Sequence, residues 1–195
     1  MSEKEKAEKG LLYNANYDKA LIEERSFAKG LCHEYNQLHP KKVEERKTLI
    51  KKLLGKTREN FLIEQPFVCD YGYNIEIGEN FYINHNSVML DAAKITFGDN
   101  VFIAPNCGFY AAGHPLDAEQ RNQGLEYAYP ISIGNNVWIG GGVTVLPGVT
   151  IGDNTIVGAG SVVTKDIPSG VIAVGNPCRV IREITEADKK KYHRE

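Results

Sequence analysis

Few residues in this chain could do chemistry, and one of them interrupts a pattern. The stretch "YAAGHPLDAEQRNQG", Tyr110 to Gly124, sets His114 beside a proline among charged and amide residues. The chain on both sides repeats small units of aliphatics, glycines and asparagines. Imidazole titrates near neutrality, so a histidine there suits general acid–base work, although a solvated loop histidine would look the same. The four cysteines, Cys32, Cys69, Cys107 and Cys178, are scattered without a C-x-x-C pair. That spacing points to neither a zinc cluster nor a disulfide framework. The thiols are expected to be small buried apolar groups in a reducing, cytoplasmic setting.

Two textures must position these residues. Residues 1–60 are rich in Lys, Glu, Leu and Ala. Ala20/Leu21, Phe27/Ala28, Leu31, Tyr35 and Leu38 fall at helical spacing and predict one apolar face, ended by His39–Pro40. A second helix is predicted with Val43, Ile50, Leu53 and Leu54 on one side and Gly55 as its stop. From Phe61 the period becomes six. "ISIGNN VWIGGG VTVLPG VTIGDN TIVGAG SVVTKD" runs from Ile131 to Asp166 with aliphatic or small residues at positions one and three. A weaker copy, "IEIGEN FYINHN SVMLDA", slips by two residues before "ITFGDN VFIAPN CGFYAA". This is the hexapeptide signature of a parallel β-helix. Each hexad is a short strand and a tight turn. Inward β-branched residues stack on the coils above and below, and Gly, Asn or Asp turn the corners. "TEAD" at Thr185–Asp188 reads as a capping box opening a short C-terminal helix.

The chain has 195 residues and a net charge of −2, enough for one domain with a core and an appendage. That charge gives no electrostatic grip on nucleic acid or an anionic membrane. No apolar run approaches the roughly 20 residues that span a bilayer, and "MSEKEKAEKG" has no signal-peptide core. The expected organisation is an N-terminal helical segment (1–60), a β-helix (61–184) with a projecting loop at 110–130, and a C-terminal helix (185–195).

The combination of "LLYNANYDKALIEER", "EYNQLHP", "FVCDYGYNIEIGENFYINHN", "GHP", "GAGSVVTKDIP" and "GNPCRVIREI" resembles the maltose/galactoside O-acetyltransferases among the hexapeptide-repeat acyltransferases. The resemblance spans nearly the whole chain. It implies a mainly β fold, a left-handed parallel β-helix, with a homotrimer that binds acetyl-CoA between neighbouring β-helices and a small sugar as acceptor. It implies no metal.

The resemblance also implies roles for single residues. His114 matches the general base that takes the proton of an acceptor hydroxyl as it attacks the thioester. Asn84 matches an asparagine at the acceptor or reacting centre; as a residue it could equally be a corner asparagine. Asp70 matches an acceptor-side position that is aspartate in the maltose branch and serine in the galactoside branch. Ala92 stands where the galactoside branch has a second aspartate. Tyr82 matches a residue at the sugar, or packs on the outer face. Arg25 matches an arginine of the acceptor pocket, or sits on a solvated helix face. Asp18 and Asn16 are alternatives for an acceptor-binding aspartate, because the N-terminal spacing is one residue longer than in many relatives. On the donor side, the Gly141 N–H matches the oxyanion donor. Trp138 and Ala159 match pantetheine contacts, and Thr164, Lys165, Arg179 and Arg182 match the nucleotide end, where phosphates call for cations.

Other functions fit less well. A zinc enzyme on the same β-helix, of the γ-carbonic anhydrase kind, needs three imidazoles, and only His85 and His114 lie in the repeats. A transferase with another acceptor, such as an oligosaccharide, serine or an antibiotic, would share this pocket. A rigid trimeric scaffold would not need the loop histidine or the arginine pair.

Overall fold

The computed structural model describes residues 1–192. Its body is a parallel β-helix of about six turns, and the hexad register is what builds it. Positions one and three of every hexad from Ile131 to Val163 point inward, including the small polar Thr155 and Ser161, and all are buried. Three hexads make one coil, so three flat faces run along the stack. The first holds Ile75–Glu76, Ile95–Phe97, Ile131–Ile133 and Thr150–Ile151. The second holds Phe61–Ile63, Phe81–Ile83, Phe102–Ile103, Trp138–Ile139, Ile156–Val157 and Val171–Val174. The third holds Phe67–Cys69, Ser87–Leu90, Gly108–Tyr110, Thr144–Val145 and Val162–Val163. Strands within a face pair in parallel, one coil to the next. Burial of each aliphatic side chain contributes about 1.5–3 kcal/mol. Phe81, Phe97 and Phe109 fill the wider early coils, with ring centroids 5.1 Å apart at each step.

The corners follow from position six. Asn80, Asn100, Asn136 and Asn154 all have positive φ at the corner between the first and second faces. Their side chains form a ladder, Asn80 Nδ2 to Asn100 Oδ1 at 3.0 Å, then two steps of 3.2 Å to Asn136 and Asn154. Asparagine tolerates this backbone region and bonds locally. All departures from the 18-residue coil fall on another corner, between the third and first faces. The additions are Tyr73–Asn74, Ala93–Lys94 and the stretch 113–130, and the pairing of Ile151 with Ile167 shows a later coil two residues short.

The N-terminal segment caps the first coils. α1 (Glu3–Glu8) opens in a capping box built by Ser2 and Glu5; its hydrophilic sequence carries no apolar stripe, and it was not among the expected elements. α2 (Lys19–Gln37) buries Leu21, Ala28, Leu31, Cys32 and Tyr35, and ends one residue before Leu38. Phe27 departs from the expected apolar face: it is exposed, with the Lys52 ammonium 5.7 Å from its ring centroid. α3 (Val43–Leu53) buries Ile50 and Leu53, while Val43 in its first turn is exposed. Arg46 joins α3 to the coil, bonding the Ile63 carbonyl at 2.8 Å and Glu64 at 3.1 Å. After Pro177 the chain doubles back as Arg179–Glu183, antiparallel to Val171–Val174. The expected capping box forms between Thr185 and Asp188 and opens a 3₁₀ turn, Glu186–Lys190. Residues 193–195 of the expected C-terminal helix lie outside the described residues. All four cysteines are buried free thiols, and no described helix is long and apolar enough to cross a membrane.

Candidate active site

His114 follows the strand Ala112–Gly113, which pairs with Leu125–Ala128, and that strand pairs in turn with Tyr13–Asn14. The loop is therefore an ordered three-stranded ribbon. Its tip carries α4 (Ala118–Asn122), capped by Asp117. Arg121 ties the tip back to the carbonyls of Pro115 and Leu116 at 3.0 and 3.1 Å. Leu116 itself is 99% exposed. The His114 Nδ1 lies 3.1 Å from the Leu125 carbonyl. A carbonyl only accepts, so Nδ1 carries the proton and Nε2 presents its lone pair outward. Sequence reasoning passed over one neighbour, Glu126. Its Oε1 is 3.9 Å from Nε2, and its Oε2 accepts from the Tyr13 hydroxyl at 3.0 Å. A lone glutamate in an irregular stretch carries no pattern. The antiparallel register of Ala112–Gly113 on Leu125–Ala128 brings it opposite the histidine, and Tyr13 on the other side holds it there.

The acceptor-side residues divide. Asp70 follows the strand Phe67–Cys69 at the corner between the third and first faces, the same corner that bears the loop. Burial pushes its carboxyl above the ordinary value, and nearby Arg25 and Lys29 offset part of that. Arg25 is no solvated helix residue: it donates to the Tyr71 hydroxyl and the Ala15 carbonyl, each at 2.6 Å. Asp18 is the N-cap of α2, its Oδ1 taken by the Leu21 N–H at 2.9 Å. Asn16 donates to the Gly124 carbonyl at 3.2 Å, at the foot of the loop. Asn84 sits elsewhere, at the corner between the second and third faces. It is the fourth residue of its hexad and lacks the positive φ of the corner asparagines; Asn86 fills that position.

The donor-side residues divide in the same way. Trp138 points outward on the second face together with Tyr82, which was expected at the acceptor, on an in-register ladder of Leu62, Tyr82, Phe102, Trp138, Ile156 and Ile172. Trp138 and Phe102 are about half exposed, at 54% and 50%. Gly141 and Ala159 stack at the corner between the second and third faces. The N–H groups of both find no partner among the described residues. Arg179 and Arg182 lie on the last strand, opposite Val174 and Ile172 of the second face. Arg182 makes a two-pronged pair with Asp188 at 2.7 and 2.8 Å. Thr164 and Lys165 are on the other corner, exposed, where the short coil turns back to the first face.

The expected site residues thus fall into two groups along opposite edges of the third face. One edge holds His114, Asp70, Glu126, Thr164 and Lys165. The other holds Asn84, Gly141 and Ala159, with Tyr82 and Trp138 on the adjoining second face. Along the face between them, the outward residues Val68, Val88, Gly108, Thr144 and Val162 are small and in register, with the Tyr110 ring lying over Gly108.

Known proteins resemble this chain in sequence and fold. Residues 6–58 match the family described as the maltose acetyltransferase hexapeptide capping motif, and residues 130–165 match the bacterial transferase hexapeptide. The chain is 49% identical to a galactoside O-acetyltransferase of Escherichia coli strain K12, over 90% of this chain and 86% of the relative. The solved maltose O-acetyltransferase of Clostridium difficile 630 superposes with a TM-score of 0.93 at 52% identity, covering 95% of this chain and 99% of that one. A galactoside acetyltransferase solved in complex with coenzyme A superposes with a TM-score of 0.95 at 48% identity, covering 100% and 97%.

Proposed function

This chain belongs to the maltose/galactoside O-acetyltransferase family and is an acetyl-CoA-dependent acetyltransferase; on that premise we propose that it acetylates a hydroxyl of a maltose- or glucose-type sugar, with His114 as general base. The observation that carries this reading is the anchored imidazole. With Nδ1–H held by the Leu125 carbonyl, Nε2 is free to take a proton. The acceptor hydroxyl gives its proton to Nε2 as its oxygen attacks the thioester carbonyl. The oxyanion that forms needs a fixed donor, and the unpartnered Gly141 N–H is available for it. Collapse expels the sulfur of coenzyme A, and the imidazolium returns the proton to it.

The residues present suit the donor. A thin pantetheine arm fits against the exposed Phe102 and Trp138 side chains, with the Ala159 N–H as a further donor. Lys165, Arg179 and Arg182 supply cations for its phosphates. Asp70 and the absence of a carboxylate at Ala92 favour the maltose type over the galactoside type.

Within one chain the two groups lie on different corners of the coil. A second copy, turned about an axis along the third face, brings His114 of one subunit to Asn84 and Gly141 of the next. Repeating the same turn closes a ring of three. The bare Leu116 at the loop tip is then covered by the neighbour. The test is thiol release from acetyl-CoA with maltose, glucose, galactosides, serine and chloramphenicol, for the wild type and His114→Ala. A sugar should raise the rate, and the variant should lose most of it while acetyl-CoA still raises its thermal stability. Full activity in His114→Ala would refute the base, and a preference for serine or chloramphenicol would refute the acceptor.

A further inference from the structure

We propose that Glu126 is an acceptor-specificity residue: its free carboxylate oxygen binds a second hydroxyl of the acceptor, beside the one acetylated, so the enzyme selects polyols over simple alcohols. The proposal rests on His114 being the base. Glu126 lies on the Nε2 side of the imidazole, where the proton is taken, and not on the Nδ1 side, where the ring is anchored to Leu125. A carboxylate that only oriented the ring would occupy the Nδ1 side. The 3.9 Å from Nε2 to Oε1 is too long for a hydrogen bond. Oε1 has no hydrogen bond among the described residues, whereas Oε2 is held by Tyr13.

Tyr13 is buried, and burial together with the Glu126 charge drives its phenol far above the ordinary value. The phenol therefore stays a donor, and Glu126 is fixed as an acceptor. The ribbon holds the pair in place, since Tyr13 and Glu126 are direct partners in the strand register. An acceptor hydroxyl has one proton to give. If it goes to Nε2, it cannot also go to Oε1. The free oxygen therefore needs a donor of its own, and a neighbouring hydroxyl of the same sugar supplies one within reach of both groups.

The experiment compares kcat/KM for the best sugar and for its monodeoxy analogues, each lacking one hydroxyl. The wild type should lose about 10- to 100-fold on one analogue, as expected for a hydrogen bond to a charged group. Glu126→Ala should lose a similar factor on the parent sugar and almost nothing further on that analogue. Glu126→Gln keeps an acceptor for Tyr13, which guards the fold; it should lose about 3- to 10-fold on the parent and likewise stop discriminating. If Glu126→Ala and Glu126→Gln slow every acceptor by one common factor and still discriminate, the carboxylate acts through His114 and the proposal is overturned. If no sugar is turned over by the wild type, or His114→Ala keeps its activity, the proposed function falls first, which is a different result.

Discussion

Asp91 is a buried carboxylate in the first coils with one oxygen unpartnered among the described residues, and replacing it should stabilise the protein in a pH-dependent way. It is fully buried at the end of the strand Ser87–Leu90. Oδ1 accepts from the N–H groups of Asp70 and Tyr71 at 3.0 and 2.8 Å, whereas Oδ2 has no partner among the described residues. Burial, with the Asp70 charge adding to it and the backbone donors offsetting part, leaves its carboxyl raised to about 6. The folded chain therefore holds this proton more tightly than the unfolded chain, whose aspartate titrates near 3.9. The penalty is absent below about pH 4, grows as the pH rises, and is complete above about 6. Between those limits it amounts to about 3 kcal/mol, an order-of-magnitude figure. Asp91→Asn keeps an oxygen for the two N–H groups and removes the charge. Urea unfolding at a fixed protein concentration should show the variant gaining about 2 kcal/mol on the wild type between pH 4.5 and pH 8. A stability difference that stays flat over that range would mean that folding does not raise the Asp91 carboxyl above its unfolded value.

Two further outcomes test the stack itself. At Gly140 an added Cβ would lie 2.5 Å from the Ala159 nitrogen and 2.9 Å from its Cα. Backbone cannot swing aside as a side chain can, so Gly140→Ala should cost about 3 kcal/mol or prevent folding, read by thermal unfolding and soluble yield. Asn136→Ala removes two rungs of the asparagine ladder and places alanine at φ 56°. It should cost about 1–2 kcal/mol by the same measurement, and Asn136→Gly should recover part of it.

Much of the fold was legible because one signal repeats. Ile131 to Val163 sets the same two inward positions in every hexad, and the two-residue slip read at Ala93–Lys94 is a real corner insertion. Single elements were harder. α1 has no apolar stripe, and it is held by a capping box and its packing beside Tyr13. Phe27 matched the helical period but sits on the open side of α2, since period alone does not say where the cap meets the coil. The hairpin that carries His114 is built of strands of two to four residues, too short for any alternation to register. Asn84 could not be told from Asn86 until φ separated them. Glu126 was invisible because it meets His114 only through the register of a hairpin too short to read, and Tyr13, 113 residues away, holds its other oxygen. The donor-side residues were legible only through resemblance. Their division between two corners needed the coil to be counted out, because neighbouring hexads lie on different faces.

The central claim is that the active site is completed by a second copy, and mixing two inactive chains tests it directly. His114→Ala disables one edge. Gly141→Trp should block the other without breaking the fold, because a Cβ there meets only the Pro105 carbonyl at 3.4 Å and looser neighbours. In randomly mixed trimers, the ring geometry leaves one intact site in each trimer that contains both chains, so coexpression should restore about a quarter of wild-type thiol release. A mixture as inactive as either variant alone would mean that one chain supplies both edges, and the account of this site would be wrong.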